Sequence, residues 1–193
     1  MREVSLTEAV EHLKQGRVLI YPTETAYALG CDATNQAAVD LIFQIKQRPL
    51  KFTLPVIMGN LLMVEHWTML NEPAKELVKR YWPGPLTLIL PSRQGLAQGC
   101  VAADQTVAVR ISGHQIARQL SEKLDRPIVS TSANLSGENE IYSTAELQEK
   151  FSQQYSDLCF IEGGNLPPRR PSTIIKVETT GKIQVLRQGE ITF

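Results

Sequence analysis

Residues 18–49 read VLIYPTETAYALGCDATNQAAVDLIFQIKQRP. Val18 to Tyr21 is a run of β-favouring apolar side chains that stops at Pro22, the pattern of a buried strand. The turn Pro22-Thr23-Glu24-Thr25 follows and offers two hydroxyls and a carboxylate. Asn35 then supplies an N-cap, and Ala38, Leu41, Ile42 and Ile45 recur at helical spacing. This helix ends in Lys46-Gln47-Arg48-Pro49, where proline cannot continue it. A strand that holds a polar turn, beside a helix that delivers two cations, suits a small ligand with an amino-acid-like end and phosphates.

On the N-terminal side, Ser5-Leu6-Thr7-Glu8 forms a capping-box pattern. Leu6, Ala9, Val10 and Leu13 share the next helical face, and Gly16 closes it. On the C-terminal side, Leu54 to Met58 reads as a strand. A helix starts at Asn71-Glu72-Pro73 and breaks at Pro83-Gly84-Pro85, and Leu86 to Leu90 is a continuous apolar strand. Residues 91–104 hold two glycines and few large apolar side chains, a loop of lid-like length.

Thr106 to Ile111 reads as a strand, Gln115 to Leu124 as a helix, and Ile128 to Ser130 as a short strand. Ser143-Thr144-Ala145-Glu146 is a second capping box. Leu158 to Ile161, Thr173 to Val177 and Ile183 to Leu186 close the chain as strands. The last two form a hairpin across Thr179-Thr180-Gly181-Lys182. Strand runs alternating with helices imply one layered α/β domain over residues 1–193, with a mixed sheet.

Composition narrows the function classes. The 193 residues are 42% hydrophobic and 21% charged, ordinary for a globular domain, and 20 basic against 20 acidic side chains leave no net charge. Bulk charge therefore does not announce a nucleic-acid binder, although a local basic patch is compatible with it. Cys31, Cys100 and Cys159 are far apart and make no C-x-x-C pair, which points to a reducing cytosol. Neither a signal-peptide core nor an apolar run of membrane-spanning length is seen, so the expectation is a cytoplasmic protein with no membrane partner.

A nucleophilic hydrolase needs a base, and His12, His66 and His114 all read more simply as structural or helix-terminal residues. There is no H-E-x-x-H, Walker glycine loop or G-x-G-x-x-G. Lys46 and Arg48 have two readings. Cations in a last helical turn offset its dipole, whereas clustering with Lys51 at a helix–loop junction suits phosphate neutralisation. Ser130 to Ser136 carries four hydroxyls and the Asn134 amide. It is either a polar turn or a set of neutral donors for anionic oxygens. Trp82-Pro83-Gly84-Pro85 reads as a rigid turn and Arg169-Arg170 as a solvated loop. Arg110, mid-strand among valines, must pair internally or face a polar cleft; the cleft is favoured. Arg187 is open to the same two readings.

These pieces together resemble the YrdC/TsaC family, the threonylcarbamoyl-AMP synthases. The matching motifs are Tyr21-Pro22-Thr23-Glu24-Thr25 with Leu29-Gly30, Lys46-Gln47-Arg48-Pro49, and Trp82-Pro83-Gly84-Pro85-Leu86-Thr87. Val107-Ala108-Val109-Arg110, Ser132-Ala133-Asn134-Leu135-Ser136-Gly137 and Pro171-Ser172-Thr173-Ile174 complete the set, in family order. The resemblance implies a twisted open mixed α/β sheet flanked by helices, with a positive concave face. It implies formation of threonylcarbamoyl-adenylate and pyrophosphate from L-threonine, bicarbonate or CO2 and ATP, with Mg2+ accompanying the nucleotide. The product would feed threonylcarbamoyl modification of ANN-decoding tRNAs, with tRNA or structured RNA and a tRNA-threonylcarbamoyl transfer complex as partners.

The resemblance also assigns residues. Lys46, Arg48, Ser132 and Asn134 match the K-x-R and S-x-N active-site pairs, Thr23 and Thr25 the threonine-seating turn, and Arg110 and Ser172 positions near the nucleotide. Lys46 and Arg48 are expected to hold phosphates, and Ser132 and Asn134 to orient phosphate and carbamate oxygens. Tyr27-Ala28-Leu29-Gly30 departs from the usual Tyr-Gly-Leu-Gly, and Thr53 after Phe52 replaces the usual proline or glycine. Both departures lean towards YciO-like paralogues, while the intact pairs lean towards the synthases. The chain matches the short form, which lacks the additional C-terminal domain of longer members. The alternatives are an RNA-binding module, or a paralogue that binds nucleotide with a different activity.

Overall fold

The computed structural model describes residues 1–49, 52–153, 155 and 157–193, so the expected role of Lys51 lies outside the described residues. The elements in chain order begin with β1 (Arg2–Glu3), α1 (Leu6–Lys14), β2 (Leu19–Pro22), β3 (Tyr27–Gly30), α2 (Gln36–Lys46) and β4 (Val56–Ile57). Next come α3 (Leu61–Trp67), α4 (Glu72–Tyr81), β5 (Leu86–Pro91), β6 (Thr106–Arg110), α5 (Gln115–Leu124) and β7 (Ile128–Val129). The chain closes with β8 (Thr131–Ser132), α6 (Thr144–Phe151), β9 (Cys159–Phe160), β10 (Thr173–Val177) and β11 (Ile183–Arg187).

Helix starts follow local chemistry. Ser5 and Glu8 form the complete capping box of α1, while Asn35 and Asn71 accept from the amides of Ala38 and Ala74. Each such cap satisfies an amide that the first helical turn leaves without a partner.

The strands form two mixed sheets, in the orders β1-β9-β2-β3-β8 and β11-β10-β5-β6-β4-β7. They meet at one segment. β8 pairs antiparallel with β3, and the isolated bridge Asp32↔Ile128 continues that pairing in the same register. Meanwhile β7, the same segment two residues earlier, pairs antiparallel with β4. Residues 128–132 thus serve both sheets, and the single twisted open sheet expected from the family is divided there. The final hairpin, β10–β11, is antiparallel as expected and parallel to β5 through β10.

Both faces of β2 are apolar because both are covered. Leu19 and Tyr21 join the buried cluster with Ala9 and Leu13 of α1 and Leu120 of α5. Ile20 alternates to the other cluster, with Ile42 of α2 and Phe160. Each such buried side chain contributes about 1.5–3 kcal/mol. This two-sided burial fixes the register of β2 and so the position of the turn that follows it.

Residues 91–104 are anchored, contrary to their lid-like length. Ala97 and Cys100 are buried, the Ala97 amide donates to the Ala33 carbonyl at 2.9 Å, and the Gly99 carbonyl accepts from Leu54 at 2.8 Å. Small side chains here pack against α2 and bind backbone, a role that bulk hydrophobicity does not reveal.

Candidate active site

Lys46 ends α2 and is only 2% exposed. Its Nζ donates to the Ser132 carbonyl at 2.6 Å, the Asn134 carbonyl at 2.7 Å and Asn134 Oδ1 at 2.8 Å. An ammonium has three N–H groups, and all three are spent on these partners. Burial, then repulsion from Arg48, pushes Lys46 down to about 8, against the attraction of Glu138 and Glu140. The K-x-R and S-x-N motifs therefore converge by direct contact. In the unliganded chain the Lys46 ammonium thus holds the Ser132–Asn134 loop. Asn134 is equally committed, since Oδ1 also accepts from Ser132 Oγ at 2.7 Å and Nδ2 donates to the Glu138 carbonyl at 2.6 Å.

Arg48 follows the helix through Gln47, whose left-handed φ of 49° turns the chain out of α2. The Arg48 guanidinium lies 5.3 Å from the Phe52 ring centroid, and one terminal nitrogen reaches the Thr53 carbonyl at 3.5 Å. Its Nε is buried and has no hydrogen-bond partner among the described residues. Burial lowers its pKa from the ordinary arginine value.

Arg110 ends β6 and makes a buried ion pair with Glu24 at 2.5 Å, while Ser112 donates to the second Glu24 oxygen. Burial alone would raise Glu24; Arg110 and Ser112 outweigh it and hold the carboxyl below its usual range. The two readings of Arg110 are thus both realised, because the paired guanidinium also lines the cavity. Arg187, ending β11, donates to the Ser172 carbonyl at 2.8 Å and to Ser172 Oγ at 3.0 Å, and Ser172 Oγ contacts Thr87 Oγ1 at 2.8 Å. Desolvation lowers the Arg187 pKa; Arg110 and Arg48 add to that shift and Glu140 opposes it.

A cavity of about 330 Å³ opens between the two sheets, lined by Thr23, Thr25, Arg48, Arg110, Ser132 and Ser172. Lys46 and Asn134 stand behind this wall rather than in it. Arg187, Thr87, Thr131 and Glu140 also line the cavity and were not assigned from sequence. Arg187 had a visible signal, an arginine ending an apolar strand, and Thr87 closes the Trp82–Thr87 family motif; Glu140 had none. A wider groove of about 1020 Å³ is lined by Glu138, Glu140, Glu146, Glu149 and Lys150, a charge balance that repels phosphate.

The histidines behave as structural residues: His12 Nε2 lies 3.1 Å from the Val18 carbonyl, and His114 occupies the N-cap position of α5. Among the described residues, no group of three or more His, Cys, Asp or Glu side chains is placed to hold a metal ion. No helix among them is long and apolar enough to cross a membrane.

Three comparisons bear on this geometry. The Sua5_yciO_yrdC family model, described as "Telomere recombination", matches residues 11–189. A threonylcarbamoyl-AMP synthase of Vibrio vulnificus strain YJ016 is 36% identical over 188 residues, covering 96% of this chain and 98% of the relative. One of Yersinia pestis strain Pestoides F is 35% identical, covering 95% of each chain. Among solved structures, P. abyssi Sua5 complexed with L-threonine superposes with a TM-score of 0.86 at 34% identity, covering 97% of this chain and 56% of that one. This chain therefore spans about half the length of that Sua5. E. coli YciO superposes with a TM-score of 0.83 at 28% identity, covering 95% of this chain and 88% of YciO. With a family model spanning nearly the whole chain and relatives more than a third identical end to end, this chain belongs to the Sua5/YciO/YrdC family.

Proposed function

We propose that the cavity joins L-threonine, bicarbonate or CO2 and ATP into L-threonylcarbamoyl-adenylate, releasing pyrophosphate. The observation that carries this reading is the gathering of a hydroxyl-bearing turn, Thr23 and Thr25, with Arg48, Arg110 and Arg187 in one cavity. Relatives named threonylcarbamoyl-AMP synthase and the threonine complex of P. abyssi Sua5 support it.

The chemistry asks for placement rather than a protein nucleophile. The threonine amine adds to CO2, forming the N–C bond and losing a proton. A carbamate oxygen then attacks the α-phosphorus, and the bond to the β-phosphate oxygen breaks as pyrophosphate leaves. Guanidinium groups neutralise charge along that path, and fixed hydroxyls orient the nucleophile. Arg48, which lines the cavity with a buried Nε that has no partner among the described residues, is the cation best placed to do so. Both oxygens of Glu24 are engaged by Arg110 and Ser112, and Glu140 accepts from Tyr142. Mg2+ therefore fits best as part of the nucleotide substrate, held by phosphates and water. The adenylate is an activated acyl donor, and the tRNA-threonylcarbamoyl transfer complex, acting on ANN-decoding tRNA, is its proposed consumer. An RNA-binding role draws no support from a chain with balanced charge.

The test is incubation with ATP, Mg2+, L-threonine and labelled bicarbonate. A labelled adenylate together with threonine-dependent pyrophosphate is expected. Nucleotide turnover indifferent to threonine would transfer the chain to the YciO-like reading.

A further inference from the structure

Three guanidinium groups line the cavity, and the structure holds each in a different way. Arg110 is paired with the Glu24 carboxylate, which offsets its charge. Arg187 spends Nε on the Ser172 carbonyl at 3.1 Å and a terminal nitrogen on the carbonyl and Oγ of that same residue at 2.8 and 3.0 Å. Arg48 has neither arrangement. Its side chain's one hydrogen bond among the described residues is the contact to the Thr53 carbonyl at 3.5 Å, near the limit of such a bond. Burial is the cause of its lowered pKa.

What holds the Arg48 guanidinium instead is the Phe52 ring, whose centroid lies 5.3 Å from the central guanidinium carbon. That distance is within the reach of a cation–π contact. The ring attracts the cation through its quadrupole. It brings no oxygen to compete for the N–H groups and no charge to neutralise the guanidinium. A carboxylate in its place would fix the side chain equally well and take away its use towards an anion, as Glu24 does with Arg110.

Backbone contacts fix both partners. The Arg48 amide donates to the Phe43 carbonyl at 3.1 Å and the Phe52 amide to the Pro49 carbonyl at 3.2 Å. Leu54, fully buried, donates to the Gly99 carbonyl at 2.8 Å. Phe52 itself is 48% exposed, so a leucine can replace its apolar contacts at little cost to the fold. Ring and bulk are therefore separable by experiment.

We propose that Phe52 is a positioning residue for Arg48: its ring holds the guanidinium at the cavity wall with charge and N–H groups kept for the phosphates of the nucleotide. The proposal rests on the reading of the cavity as a nucleotide site and adds to it a residue that does not line the cavity.

The test is calorimetric binding of α,β-methylene-ATP with Mg2+ and, separately, of L-threonine to the full chain and its variants. Phe52→Leu is expected to weaken the nucleotide about twofold to fivefold, the worth of a cation–π contact at an exposed site, and to leave threonine affinity unchanged. Phe52→Tyr keeps a ring and should bind nucleotide as wild type does. The decisive measurement is a double-mutant cycle. In the Arg48→Gln background, which keeps a planar group without charge, Phe52→Leu should have no further effect. A loss of the same size in that background overturns the proposal. So does a loss shared with threonine, a Phe52→Tyr chain as weak as Phe52→Leu, or full nucleotide affinity in Phe52→Leu. Wild-type chain that binds nucleotide while failing this cycle sinks only the proposal; wild-type chain that binds no nucleotide sinks the functional reading beneath it.

Discussion

The Tyr21 hydroxyl donates to the Val129 carbonyl at 2.9 Å, joining β2 to the segment shared by the two sheets. Gly30 lies against both partners: a Cβ there would fall 2.3 Å from the Val129 oxygen and 2.5 Å from the Tyr21 ring. The glycine is required by close approach of backbone, since neither neighbour can give way without moving a strand. Gly30→Ala should destabilise the fold by about 1–3 kcal/mol, the usual cost of overpacking. Tyr21→Phe, which only strands a buried carbonyl, should cost about 1 kcal/mol. Urea unfolding monitored by far-UV circular dichroism checks both values and their order.

Glu24 and Arg110 are each nearly enclosed, with side-chain exposures of 12% and 9%. Removing the carboxylate leaves a buried guanidinium without its counter-charge. Glu24→Gln should therefore cost roughly 3 kcal/mol, the low end for breaking a buried pair, because the amide keeps one acceptor. The pH dependence follows from the depressed carboxyl pKa, in which Arg110 and Ser112 outweigh burial. As pH falls, the unfolded chain binds this proton first. The stabilisation is complete above the ordinary carboxylate range of about 4.3 and is lost as pH drops through the folded value. Denaturant midpoints between pH 7 and pH 3 should converge for wild type and Glu24→Gln; a constant gap would contradict the pairing.

What was legible in the sequence divides along the range of the forces involved. Caps at Ser5, Asn35 and Asn71, the stop at Pro49 and the β10–β11 hairpin depend on neighbours within a few residues, and cap, breaker and turn patterns exposed them. The cavity residues Arg48, Arg110 and Ser132 stood out as distinctive side-chain types at sheet and helix ends, whereas Ser172 was reached only through its match to the family motif Pro171-Ser172-Thr173-Ile174. The saturation of Lys46 was hidden, since its acceptors lie 86 and 88 residues away. The two-residue pairings of β7 and β8 were hidden too: such a segment has no period of its own, and its division between sheets is decided by β3 and β4. Ala97 and Cys100 looked like loop residues because their small side chains carry little hydrophobic signal.

Lys46 gives the binding equilibrium an alkaline limit. An ammonium serves three acceptors and a neutral amine only two. Burial foremost and Arg48 next bring the group down to about 8, with Glu138 and Glu140 opposing. Threonine affinity should therefore fall as pH rises through about 8, when Lys46 gives up a proton and one of the Ser132 and Asn134 acceptors loses its donor. The stability slope has the opposite sign. Between about 8 and the ordinary 10.5 the unfolded chain binds more protons, so this group's contribution to stability rises with pH. Lys46→Met should bind threonine more weakly at pH 7 and show no further loss through pH 9. A calorimetric pH series on both proteins, paired with unfolding curves, separates the two slopes.

Arg48 distinguishes a structural cation from a functional one. If its place near the end of α2 served the helix dipole, removing it would cost about 0.3–1 kcal/mol of stability and leave turnover intact. The geometry argues otherwise: Arg48 lines the cavity, and its buried Nε, with no hydrogen-bond partner among the described residues, is a donor that a bound anion would satisfy. Arg48→Ala should therefore leave the unfolding midpoint unchanged or slightly raised. It should also lower threonine-dependent pyrophosphate release, expressed as kcat/KM for ATP, about tenfold to a hundredfold. Arg48→Lys restores the charge without the planar fork and should recover only part of that loss, because an ammonium cannot give the parallel contacts a guanidinium offers to phosphate. Full recovery by lysine would reduce the requirement at this position to charge alone, and a stability loss with normal turnover would return Arg48 to the helix.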